Sequence, residues 1–159
     1  LAFHHKDENE KLFTLDTSNL YRYNMDKIYE EADKCSLLCQ NCHQILHEKL
    51  DSFKETLNIK KPRYMSIKKQ LILQMGNECQ ICKFSTEYLS PMTFHHLRDK
   101  LFDINSRTLR DFKLNKIEIE SLKCALLCFN CHMELESGLH QDIILDSPSV
   151  IVLGLPLKS

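Results

Sequence analysis

The sequence predicts an α+β chain of two small tandem units, each made of two strands and a helix and stapled by metal. Three observations carry this reading. The 159 residues include eight cysteines and eight histidines, and three CxxC pairs stand out: Cys39 and Cys42, Cys79 and Cys82, Cys128 and Cys131. The chain repeats itself. Each copy sets a His-His pair well ahead of a Cys-x-x-Cys-His segment.

The spacing of the cysteines favours zinc over a disulfide framework. Thiolates two residues apart on a tight turn can point at one ion, and a tetrahedral zinc accepts two such pairs. Zinc sites need free thiolates, so a reducing, cytoplasmic compartment is expected. A thiol redox protein is a poor alternative, because no thioredoxin-like βαβ pattern surrounds the pairs. Cys35 and Cys124 read as small buried apolar residues rather than ligands.

The repeat is extensive. Phe3-His4-His5 recurs as Phe94-His95-His96, and Lys34 to His43 recurs as Lys123 to His132. Lys11–Leu50 aligns with Lys100–Leu139 without a gap, with 17 of 40 positions identical. This is a duplication. The predicted divisions are a first repeat over 1–50, a basic linker over 51–65, a second repeat over 66–142 and a tail over 143–159. In the second copy Cys79 and Cys82 precede the His pair. The equivalent pair of the first copy would fall before Leu1, so that copy is expected to lack its opening CxxC or to have it upstream.

Taken in order, the elements follow from pattern. Ser66 to Met75 reads as a helix, with Ile67, Leu71 and Met75 on one face and Gly76-Asn77 ending it. Thr93 to Leu97 reads as a strand and Lys100 to Ile104 as its partner. Lys116 to Leu127 mixes helical and strand periods. Cys128 to Leu139 reads as a knuckle running into a helix that puts His132 and Glu136 on one face, as His43 and His47 are in the first copy. Val150 to Leu153 is a short apolar run, fit for a strand or a packing arm. Each repeat alone has a thin core, which a metal would staple.

Composition excludes several classes. Lysine plus arginine is 21 against 22 acidic residues, a net charge of −1, so the chain is no bulk polycation. No run of 18 or more apolar residues predicts a membrane span. Leu1-Ala2-Phe3-His4-His5 has no apolar core and does not read as a signal peptide. Nucleic-acid affinity would have to come from local cations, for which Arg22, Lys27, Lys60, Lys61, Arg63, Lys68, Lys69, Arg107 and Arg110 are candidates.

The order CxxC, Phe-His-His, Lys-Cys-x-Leu-Leu-Cys-x-Asn-Cys-His resembles the HNH endonucleases, of the ββα-metal fold. The likeness covers about Lys68 to His140 and Leu1 to about Leu50. It implies a structural zinc on Cys79, Cys82, Cys128 and Cys131, with only Cys39 and Cys42 matched in the first copy. It implies a catalytic divalent ion, Mg2+, Mn2+ or Zn2+, on His4, His43 and His47 and on His95 and His132, with Glu136 standing where the first copy has His47. The second His of each pair, His5 and His96, is implied to be the general base. The place of the family's central Asn is taken by Lys34 and Lys123, which leaves Asn41 and Asn130, inside the knuckle, as candidates to orient the base. A helix-capping or turn role competes for both.

The chemistry suits these residues. A neutral imidazole can take a proton from water at cellular pH, and an ion can neutralise phosphate and leaving oxygen. The implied partner is DNA, expected to be double-stranded, with the two repeats acting as a pseudo-dimer. The rival reading is a non-catalytic zinc module that binds nucleic acid or protein.

Overall fold

The computed structural model describes residues 1–54 and 63–154. The chain divides into two compact units, Leu1–His43 and Gln44–Ser159. Its elements are β1 (Ala2–His5), α1 (Thr17–Arg22), α2 (Met25–Asp33), β2 (Cys35–Leu38), α3 (Gln40–Lys54), α4 (Arg63–Gln74), β3 (Met92–His96), α5 (Ser106–Asp111), α6 (Leu114–Ser121), β4 (Cys124–Cys128) and α7 (Phe129–Glu136). The architecture is mixed α and β with two small two-stranded sheets. The division between units falls inside α3. Most of the basic linker, including Lys60 and Lys61, lies outside the described residues.

Both units use one register. β1 pairs antiparallel with β2, Phe3 opposite Leu37 and His5 opposite Cys35. β3 pairs antiparallel with β4, Phe94 opposite Leu126 and His96 opposite Cys124. The strand expected over Lys100 to Ile104 is therefore absent. The partner of the His-His strand is Cys124–Cys128, a continuous apolar run buried at every position. Lys100 to Ile104 is irregular, because the N–H groups of Leu101 and Phe102 donate to the Glu120 carboxylate instead of to a strand. The mixed periods of Lys116 to Leu127 resolve into the end of α6 followed by β4.

Short polar side chains start several helices. Asp16 accepts from the Asn19 N–H and Asn24 from the Lys27 N–H, while Asn105 and Thr108 form a reciprocal capping box on α5. The helix α4 begins at Arg63, earlier than its expected Ser66 cap. It ends as the sequence suggests, with Gly76 at φ 94° and Asn77 at φ 58°.

The core of the second unit gathers Leu71, Met92, Leu109, Ile117, Leu126 and Leu127, each 0–1% exposed. The tail packs onto it as an arm without strand pairing. Ile151 and Leu153 are buried, and the Gln74 side-chain amide clasps Val152 through both its N–H and its carbonyl, at 2.9 and 2.7 Å. In the first unit Ile28 is the buried hydrophobic residue among those described. The cross-strand pair Phe3 and Leu37 is 48% and 57% exposed there, whereas Phe94 and Leu126 are 8% and 0% exposed. Among the described residues no helix is long and apolar enough to cross a membrane.

This contrast sets an expected outcome. Leu126→Ala should lower the unfolding free energy of the second unit by about 3 kcal/mol. Leu37→Ala, at the equivalent position, should cost less than about 1 kcal/mol. Urea denaturation of the full chain checks both.

Candidate metal centres

Cys79 and Cys82 sit on a turn closed by two backbone bonds, Cys79 N–H to the Phe84 carbonyl at 2.8 Å and Lys83 N–H to the Cys79 carbonyl at 2.9 Å, with Lys83 at φ 61°. Cys128 ends β4 and directly precedes α7, whose first turn carries Cys131. The four Sγ atoms lie within 4.8 Å of one another, and Cys82 and Cys128 are 3.7 Å apart. Zinc–sulfur bonds of about 2.3 Å in a tetrahedron require sulfurs about 3.8 Å apart, so the donor set fits zinc. None of the eight cysteines forms a disulfide. Within the cluster the protons are shared unequally. Hydrogen bonding from Cys128 and from backbone N–H groups holds the Cys79 thiol down at about 4, while burial and the Cys82 thiol push Cys131 up to about 12. The Cys79, Cys82, Cys128 and Cys131 cluster could hold a structural ion such as zinc.

In the first unit Cys39 and Cys42 lie close together, the Cys42 N–H reaching the Cys39 sulfur at 3.5 Å. Among the described residues no further ligand-type side chain joins them in a group of three. Cys35 and Cys124 stand apart from every such group. Their thiols donate to the Glu31 and Glu120 carbonyls at 3.4 and 3.5 Å, and burial pushes both pKa values up, Cys124 to about 12.

Two histidine groups face the helices. In the second unit the ring centroids of His95 and His132 are 5.1 Å apart, edge to face, and Glu136 completes the group. His132 Nδ1 meets the Thr93 hydroxyl at 3.1 Å, and that hydroxyl also reaches the Leu127 carbonyl at 3.1 Å. On the other side of the ring His132 Nε2 lies 3.3 Å from a Glu136 oxygen. Burial, followed by the charge of His132, lowers the His95 pKa. Burial also lowers that of His132 against the pull of Glu136, which favours the neutral form of both rings. In the first unit the His4 and His43 centroids are 5.4 Å apart. His47 lies one turn further along α3, past the division between the units.

His5 and His96 turn the other way. His5 Nε2 meets Glu31 Oε1 at 2.8 Å, and His96 Nε2 meets Glu120 Oε1 at 3.0 Å. Both glutamates are 1% exposed. The same Glu31 oxygen accepts from the Leu12 N–H at 2.8 Å and the other from Lys34 Nζ at 2.8 Å; Glu120 does the same with Leu101 and Lys123. Burial alone would raise these carboxyls. Donation from the lysine, the loop N–H groups and, for Glu31, His5 outweighs it, and Glu31 is held at about 2. Asn41 and Asn130 occupy the first turns of α3 and α7, each one residue before a knuckle cysteine, with Asn41 5% exposed.

The chain matches no family model, no curated protein and no solved structure. The spacing of Cys and His residues marks the side chains that the structure brings together in these groups. Sequence reasoning missed Glu31, Glu120 and Thr93. For the glutamates a signal existed: Glu-x-x-Lys-Cys stands at the same place in both copies, Glu31 to Cys35 and Glu120 to Cys124.

Two outcomes follow. Cys128→Ser should remove one zinc equivalent and the cooperative unfolding transition of the second unit, read by native mass spectrometry and calorimetry. Glu31 has a folded pKa below its usual 4.5, so its stabilisation is complete above pH 4.5 and is lost as pH falls towards 2. Glu31→Gln should flatten that part of the acid denaturation curve, followed by circular dichroism.

Proposed function

We propose that the protein is a metal-dependent endonuclease of the HNH kind, hydrolysing phosphodiester bonds in DNA, with each unit a ββα-metal module. The observation that carries the reading is the convergence of His95, His132 and the Glu136 carboxylate between β3 and α7. A divalent ion bound by these three, or by His4, His43 and His47, would neutralise charge on the phosphate and the leaving oxygen.

The chain's own groups supply the rest. The ionised Glu120 carboxylate only accepts, so His96 Nε2 carries the hydrogen of their contact. The neutral ring then keeps its lone pair on Nδ1, the atom that can take a proton from water. His5 is held by Glu31 in the same way. Glu31 and Glu120 are positioning residues on this reading. Asn41 and Asn130 are assigned to steadying the knuckle end of each site. The Cys79, Cys82, Cys128 and Cys131 cluster holds structural zinc, which a reducing, cytoplasmic setting preserves. Two modules in one chain would cut two strands as a pseudo-dimer.

A second reading, a non-catalytic zinc module that binds nucleic acid or protein, is favoured by one observation. The His5 and His96 side chains are 7% and 9% exposed and face away from the ligand rings. Plasmid cleavage with magnesium or manganese separates the two. Under the nuclease reading, His5→Ala/His96→Ala should slow cleavage by about 10²-fold or more, and His95→Ala alone should leave nicks in place of linear product. Equal cleavage by wild type and the double variant, or binding with no cleavage at all, would remove the assignment.

A further inference from the structure

The second unit contains a cavity of about 730 Å³ between α4, β3, α5 and α7. Two of its wall residues are His132 and Glu136, members of the candidate metal group. Tyr64 and Phe129, both partly buried, also line it beside the buried Phe94, and among the described residues Lys68 is the only lining residue with an ammonium or guanidinium group. The volume falls in the range of pockets that enclose a small organic ligand, about 300–1,000 Å³. Aromatic walls of this kind stack nucleobases without regard to sequence.

We propose that this cavity holds one unpaired nucleoside next to the scissile phosphate, so that the preferred substrate is single-stranded or locally melted nucleic acid. The proposal rests on the nuclease reading for the position of the phosphate. A phosphate on an ion held by His132 and Glu136 would carry a nucleoside on each side, and the space beside those residues is this cavity. A base inside a duplex stack cannot enter such a space without being unpaired and turned out. A single strand meets no such cost.

The charges around the cavity agree with this orientation. Burial pushes the Lys68 amine down to about 8 against the opposing pull of Glu48, so it is still a cation at neutral pH. Glu48 is itself occupied by the Leu89 and Ser90 N–H groups, at 3.1 and 2.7 Å. Of the acidic lining residues, Asp103 is paired with Lys100, and Glu136 belongs to the metal group. Lys68 is thus placed to meet a flanking phosphate while the base lies among the rings. This departs from the duplex substrate that the sequence suggests.

The test is binding of a fluorescein-labelled oligothymidylate and of a labelled hairpin duplex, long enough to stay paired, to the zinc-loaded full chain without added magnesium, read by anisotropy. The single strand should bind at least tenfold tighter than the duplex. Lys68→Met should weaken single-strand binding about tenfold with zinc content and melting temperature unchanged. Replacing one thymine by 5-iodouracil should give photo-crosslinks that mass spectrometry maps to Tyr64 or Phe129. Equal or tighter duplex binding, or an unaltered Lys68→Met, would overturn the proposal. The two readings fail separately. Strand preference without any cleavage removes the nuclease and keeps the cavity, whereas cleavage that ignores strand state and Lys68 removes the cavity and keeps the nuclease.

Discussion

The carboxylate of Glu120, 1% exposed, gathers donors from a strand, a loop and the end of its own helix: His96 Nε2, the Leu101 and Phe102 N–H groups, and Lys123 Nζ. Glu31 repeats the set with His5, Leu12, Phe13 and Lys34. An isolated charge at such a depth would cost several kcal/mol, and leaving any one donor unpaired would add to it. The whole set has to form together. It fixes the loop that follows the His pair, which is why that loop has no strand partner. It also turns one histidine of each pair inward, so that its neighbour on the strand faces the histidine of the following helix.

Metal-type residues were legible because their chemistry depends on short spacings. CxxC and His-x-x-x-Glu place donors together through local geometry alone, and duplication made the pattern hard to mistake. The strand partner was harder. Cys124–Cys128 pairs with a segment some 30 residues earlier in the chain, and its uninterrupted apolar run carries no alternation to mark it as strand. Lys100 to Ile104 alternates better, yet its N–H groups belong to a carboxylate. The glutamates were invisible for a related reason. A Glu in a charged helix such as α2 reads as solvated surface, and only its neighbours in space reveal that it is buried.

The two units reach order by different means. The second has a contiguous apolar core, a buried strand and a four-sulfur cluster. The first buries little hydrophobic surface among its described residues and leans on its carboxylate hub. Copies of one ancestral segment have thus kept their polar skeleton, His–Glu–Lys, while the apolar residues around it met different environments. Phe3 and Phe94 occupy the same register position with sixfold different exposure.

The replacement of an imidazole by a carboxylate, His47 in one group and Glu136 in the other, has an electrostatic consequence. A divalent ion among three neutral imidazoles keeps both its positive charges, while one shared with a carboxylate keeps a single net charge. The first group would then exert the stronger field on an anion and hold softer, nitrogen-preferring ions. The second would accept harder, oxygen-preferring ones. One chain would carry two centres of the same descent that differ in ion preference, and the ionic composition around it would decide which of them is filled.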